Sequence, residues 1–217
     1  MMVKAILFDM EGVVIDSAGI WDDVQRIFLK KWDIIYDRNK TKHLLTGRSI
    51  EDGIKIMQEI YPQIEGNIKD LVNQRCKIAE DLFKTKINFI VGFLDFRNYL
   101  KDDYRICIAT AMYRSLLEKV NNKLGLDEIF NNQIFSIDDV GGKSKPNPDI
   151  FLYALKKLNV ECKDCIVIED APNGIEAAKR AGIFVIGITT TYDRDKLKNA
   201  DLIVDNFKEV EIFLNSK

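Results

Sequence analysis

The 217-residue chain carries a single histidine, His43, and four cysteines: Cys76, Cys107, Cys162 and Cys165. Only the last two form a C-x-x-C pair. A zinc site needs two further ligands at matching spacing, and His43 is distant in sequence, so reduced thiols of a cytosolic protein are expected. No basic run exceeds a few residues, and the formal net charge of -2 comes from interspersed signs, which argues against a nucleic-acid partner. No stretch approaches the roughly 18 apolar residues that span a bilayer. The N-terminus runs into strand-like sequence without a basic, apolar, small-residue leader pattern, so no membrane partner and a cytoplasmic location are expected. Internal repeats and low-complexity linkers are also missing. What is present is a chain 47% hydrophobic, long enough for one full core or a core plus a smaller inserted domain.

Apolar runs rich in β-branched or aromatic residues recur at Val3–Phe8, Tyr104–Ala109, Ile134–Ile137, Cys165–Ile168, Phe184–Ile188 and Leu202–Val204. Most are continuous rather than alternating, as in strands buried on both faces of a parallel sheet. Helical segments separate the later ones: Ser115–Leu124, Ile150–Leu158 and Gly174–Ala181, the last with Gly182 as its stop. The fold class expected is α/β, a Rossmann-like doubly wound parallel sheet. From about Asp16 to Phe89 no strand is apparent. Trp21, Val24, Phe28, Leu29 and Trp32 share one helical face, Ile50, Ile54, Met57 and Tyr61 share another, and a third helix covers Ile68–Phe83. One crossover needs only one helix. The expected division is therefore a core of residues 1–15 and 89–217 with an inserted helical cap domain of residues 16–88.

Chemistry-bearing residues follow the strands. The first run ends in Asp9-Met10-Glu11-Gly12, and ligands of open parallel sheets bind at the carboxyl ends of strands. Thr110 follows the second run, where a hydroxyl and backbone N–H groups before a helix can hold an anion. In Lys145-Pro146-Asn147-Pro148-Asp149, Pro146 restricts Lys145 to an extended conformation, with Asn147 expected as N-cap and Pro148 as the first helical residue. Glu169-Asp170 leaves the Cys165–Ile168 run directly before a turn and helix. Asp9 and Asp170 on adjacent strand ends suit one hard cation such as Mg²⁺. With a dianionic phosphate, Asp9, Glu169 and Asp170 total about -5, and each like pair near 4 Å costs about 4 kcal/mol. Mg²⁺ and Lys145 together contribute about +3, which lets a carboxylate approach phosphorus.

The series D-M-E-G-V-V, I-A-T, K-P-N-P-D and E-D-A-P-N-G-I-E-A-A resembles the haloacid dehalogenase superfamily, in particular its β-phosphoglucomutase and sugar-phosphate phosphatase subgroup. That resemblance implies a Mg²⁺-dependent phosphatase of small phosphorylated metabolites, sugar phosphates foremost. A phosphosugar mutase and a catalytically weakened phosphometabolite-binding protein are the alternatives. It implies Asp9 as nucleophile, Thr110 and Lys145 as phosphate-orienting groups, Asp9, Asp170 and the Glu11 carbonyl as metal ligands, and Glu169 as support to that site. Oligomeric expectation is a monomer or weak homodimer.

The sequence departs from the resemblance at Glu11, where the family places an aspartate as acid and base; glutamate keeps the carboxyl but carries it one methylene farther. Trp21 stands where the mutases have a histidine, and Ile50 where they have a cap-loop arginine, with Arg48 nearby in Thr46-Gly47-Arg48. Gly47, Arg48, Ala111 and Trp21 are the substrate-binding candidates. Trp21 also belongs to the Val24–Phe28 apolar stripe, and Arg48 also suits a solvent-facing position.

Overall fold

The computed structural model describes residues 3–46, 48–100 and 103–216, without the His43 side chain. Strand β1 (Ala5–Phe8) leads to helices α1 (Ala18–Leu29), α2 (Arg38–Leu45), α3 (Ile50–Ile60), α4 (Ile68–Lys86) and α5 (Phe93–Leu100). Then come β2 (Arg105–Ala109), α6 (Arg114–Leu124), α7 (Leu126–Ile129), β3 (Ile134–Phe135), α8 (Asp149–Leu158), β4 (Cys165–Glu169), α9 (Pro172–Arg180), β5 (Phe184–Ile188), β6 (Leu202–Val204) and α10 (Phe207–Asn215). The strands form one six-stranded sheet in the order β3-β2-β1-β4-β5-β6, every pairing parallel.

All four residues of β1 are buried, because alternate side chains enter different cores. Ile6 and Phe8 pack with Phe93, Phe96 and Phe207, whereas Ala5 and Leu7 pack with Phe151, Ala154 and Ala178 on the other face. This two-sided burial is why the strands read as continuous apolar runs. A third cluster, built from Phe28, Leu29, Ile54, Met57 and Leu71, belongs to the helices between β1 and α5. The chain leaves and re-enters the sheet layer side by side: the Asp16 N–H donates to the Asn88 carbonyl at 2.9 Å and the Ile90 N–H to Val14 at 3.0 Å.

Two local expectations change. Pro148 occupies the N-cap of α8 and Asp149 is its first residue. The Asn147 amide donates instead to the Ser144 carbonyl at 2.8 Å, which withdraws it from capping. The third strand ends at Phe135, because Ile137 begins a 3₁₀ turn reaching Val140. Helix α2 escaped the periodicity reading: its only apolar residues are Leu44 and Leu45, and it is initiated by Asp37, whose carboxylate accepts from the Asn39 N–H at 2.9 Å.

Candidate active site

Register places the acids. Phe8 is paired with Ile168, so Asp9 and Glu169 leave neighbouring strands at one level, and Phe8 is paired with Ile108 on the other side, two residues before Thr110. Asp9, Thr110, Lys145, Glu169 and Asp170 are all buried. Lys145 Nζ donates to Asp9 Oδ1 at 2.5 Å and to Glu169 Oε1 at 2.6 Å. The second Glu169 oxygen accepts from the N–H groups of Asp170 at 3.0 Å and Ala171 at 3.1 Å. Both Glu169 oxygens are thus engaged by the protein itself. Thr110 accepts on its hydroxyl from the Met112 N–H at 3.0 Å, while its own N–H is used by the Phe135 carbonyl.

Two glycines make room for this cluster. A Cβ on Gly174 would lie 1.6 Å from Glu169 Oε1, and one on Gly12 would lie 1.9 Å from Asp170 Oδ2. Gly12 also has φ +82, which a side chain would strain. Gly174→Ala should therefore displace the Glu169 carboxylate from Lys145 and destabilise the fold by about 1–3 kcal/mol. Urea denaturation checks it; unchanged stability would mean that Glu169 has another place to go.

Charge is not balanced within the cluster. Asp9, Glu169 and Asp170 bring carboxylate oxygens within 4.8 Å of one another, and Lys145 is their only ion-pair partner among the described residues. Burial pushes the Asp170 carboxyl well above its usual range, and Glu169 and Asp9 push it further. Burial also raises Glu169, against the pull of Lys145. For Lys145 burial opposes the charge, yet Asp9 and Glu169 outweigh it and the ammonium is held above its ordinary value. An all-oxygen donor set with surplus negative charge fits a hard divalent cation. Since Glu169 is fully hydrogen-bonded, Asp9 and Asp170 are the side chains left to face it.

Glu11 lies beside this cluster, under the helices. The Trp21 indole N–H donates to its carboxylate. Burial drives Glu11 up to about 7; the Trp21 and Ser17 hydrogen bonds pull it down and the Asp9 charge pushes it up. Trp21 also packs edge-on against Phe83, so it serves both the core and the site. The helices close directly onto the sheet ends. Asn173 Nδ2 donates to the Thr46 carbonyl at 2.9 Å, the Tyr192 hydroxyl to Thr46 Oγ1 at 2.9 Å, and Lys42 Nζ to the Thr191 carbonyl at 3.0 Å.

One cleft results, and among its lining residues are Asp9, Glu11, Trp21, Arg48, Ala111 and Asp170. Gly47 lies outside the described residues. Gln25, Lys42, Arg75 and Thr191 line the cleft too, and were not singled out from sequence. For Arg75 a signal existed: it interrupts the buried stripe Leu71, Ala79 and Phe83 of α4 at the same four-residue spacing.

A buried lysine shared by two strand-end acids, beside a third, defines an α/β enzyme rather than a structural module. The model of the haloacid dehalogenase-like hydrolases matches residues 3–182, and the chain belongs to that family. It is 29% identical over 211 residues to validoxylamine A 7'-phosphate phosphatase of Streptomyces hygroscopicus subsp. limoneus, covering 96% of each chain. It is 28% identical over 221 residues to β-phosphoglucomutase of Bacillus subtilis, covering 98% of this chain and 93% of that one. The solved β-phosphoglucomutase of Clostridium difficile superposes with a TM-score of 0.82 at 26% identity, over 99% of this chain and 98% of that one.

Proposed function

We propose that the protein is a Mg²⁺-dependent phosphatase of small phosphorylated metabolites, sugar phosphates foremost, with Asp9 as nucleophile. The observation that carries this reading is Lys145 bridging Asp9 and Glu169 next to Asp170 at the sheet's carboxyl ends. Residues 1–15 and 89–217 supply the reacting groups, and residues 16–88 act as a cap domain that covers them.

An Asp9 carboxylate oxygen attacks phosphorus, the bond to the ester oxygen breaks, and that oxygen leaves with the electron pair. Glu11 gives it a proton. The Glu11 carboxylate then takes a proton from water, whose oxygen attacks the phosphoryl group on Asp9 and releases phosphate and the free aspartate. Lys145 and Thr110 orient the phosphoryl oxygens. Asp9, Asp170 and the Glu11 carbonyl would hold Mg²⁺, which would supply the positive charge that lets two anions meet. The Trp21 indole holds the longer Glu11 side chain in place. Water is favoured over a sugar hydroxyl as acceptor because Trp21 and Ile50 stand where the mutases have a histidine and a cap-loop arginine.

The test is phosphate release from sugar phosphates and an aryl phosphate, with Mg²⁺ and with chelator. Release is expected with Mg²⁺ only. Glu11→Gln should lower turnover by about 10²–10⁴-fold, and Glu11→Asp, which shortens the reach, by up to about 10²-fold. Tight binding without release on any substrate would overturn the enzyme reading. Unchanged turnover in both variants would remove Glu11 from the chemistry.

A further inference from the structure

Arg75 of α4 is buried among the helices over the cleft, only 4% exposed, and has no ion-pair partner among the described residues. Its Nε lacks a hydrogen-bond partner, and Nη1 makes a long hydrogen bond, 3.4 Å, to the Ile50 carbonyl. What it lies against is an aromatic ring: the guanidinium carbon is 5.3 Å from the centre of the Trp21 ring. Burial lowers its pKa to about 10, and the nearby Cys76 and Glu11 offset part of that, so the group stays charged at neutral pH. The backbone of α3 leaves room for it, since a Cβ on Gly53 would lie 2.8 Å from Nη1.

Trp21 is engaged on more than one side. Its indole N–H donates to the Glu11 carboxylate. Its ring also meets Phe83 edge-on, with 5.5 Å between ring centres and 66° between planes. Arg75 and Phe83 both belong to the buried four-residue stripe of α4, so one helix supplies two walls of the slot that receives the indole. Arg75, Trp21 and Glu11 therefore form a continuous row: cation, ring, carboxylate.

A buried guanidinium that touches no carboxylate is unfavourable unless something else answers its charge. Here the negative face of the indole does so directly. The cation in turn draws electron density from the ring, which makes the indole N–H a stronger donor to the anion at its other side. Glu11 needs such a restraint. Its side chain has one more rotatable bond than an aspartate, and proton transfer requires a carboxylate held within hydrogen-bond reach.

We propose that Arg75 is a positioning residue: by fixing and polarising the Trp21 ring, it holds the Glu11 carboxylate where that group exchanges protons with the leaving oxygen and with water. This rests on the reading of Glu11 as acid and base of a phosphatase. Arg75 itself touches no reacting atom in the arrangement.

The experiment is steady-state hydrolysis of glucose 6-phosphate and an aryl phosphate with Mg²⁺, by the parent, Arg75→Met, Arg75→Lys and Trp21→Phe, and by each of these changes combined with Glu11→Gln. Arg75→Met should lower kcat by about tenfold and leave KM within about threefold. Arg75→Lys keeps a cation on the ring and should recover part of that loss. Trp21→Phe keeps a ring but has no N–H, and should lower kcat by up to about 10²-fold. In the Glu11→Gln background each change should cost less than about twofold in kcat, because no proton-transferring group is left to position. Should Arg75→Met fail to fold, Arg75→Lys is read in the same way, by a smaller fall in kcat at constant KM that vanishes with Glu11→Gln. A rise in KM at unchanged kcat would make Arg75 a substrate-binding group. An equal loss of kcat with and without Glu11→Gln would make it a packing residue, and no change in either constant would make it dispensable. Any of these overturns the positioning role and leaves the phosphatase reading intact. Failure of the parent to release phosphate from any ester would overturn both.

Discussion

Asp9→Asn should abolish phosphate release, by about 10⁴-fold or more in turnover, while the protein stays folded. The amide is isosteric with the carboxylate, so packing around a nearly buried position is preserved. Its oxygen still accepts from Lys145, and Glu169 remains the lysine's charged partner. What disappears is the anionic oxygen proposed to form the bond to phosphorus. Rapid acid quenching after mixing with a phosphate-labelled ester should recover label on the parent protein and none on the variant. Residual release above about one per cent, with covalent label still formed, would place the nucleophile elsewhere.

Lys145→Met should be the most damaging single change to stability. In metal-free protein it leaves Asp9, Glu169 and Asp170 buried together without their shared cation. Removing one partner of a buried charge cluster costs about 3–5 kcal/mol. The effect has a defined pH direction. The folded-state pKa of Glu169 is raised from 4.5 to about 7, and that of Asp170 is raised as well. For carboxyls raised in the folded state, stability is fully present below the unfolded value and is lost as pH climbs through the folded one. The deficit of Lys145→Met in chelator should therefore be small near pH 5 and large near pH 8. Mg²⁺ should recover part of it at pH 8, because it binds the folded cluster and not the unfolded chain. Urea denaturation at both pH values, with and without Mg²⁺, measures all of this. A deficit independent of pH and of Mg²⁺ would mean that lost packing of the lysine stem on Phe151, 4.8 Å from its ammonium, dominates instead.

The two variants probe different halves of one device. In the proposed reaction Asp9 depends on the charge around it, and Lys145 would supply that control within the protein. Glu169 would not compete for the proposed cation, since Lys145 and two backbone N–H groups occupy its oxygens. In the same proposal it holds the lysine beside Asp9.

By itself, the sequence determined the parallel α/β core, the strand-end positions of Asp9, Thr110 and Glu169-Asp170, and Lys145 before its helix. These are legible because a buried strand is a short continuous apolar run, and polar residues at its end break that run abruptly. It also announced a helical segment between the first strand and the rest of the sheet. Helix α2 stayed hidden, since a short helix with two apolar residues carries little periodicity.

Only the tertiary structure decided which of those residues meet, and how. That Lys145 reaches both Asp9 and Glu169 follows from β4 lying next to β1, a neighbour relation between segments more than 150 residues apart. That Trp21 holds Glu11 while packing on Phe83 follows from α1 and α4 lying together over the sheet ends. Arg75 is the clearest case. In sequence it is one charge on a long helix; in the fold it is a buried guanidinium lining the cleft, with no ion-pair partner among the described residues. Periodicity reports which side of a helix is buried, but burial without a partner is a property of everything packed around the residue, and that exists only once the chain has folded.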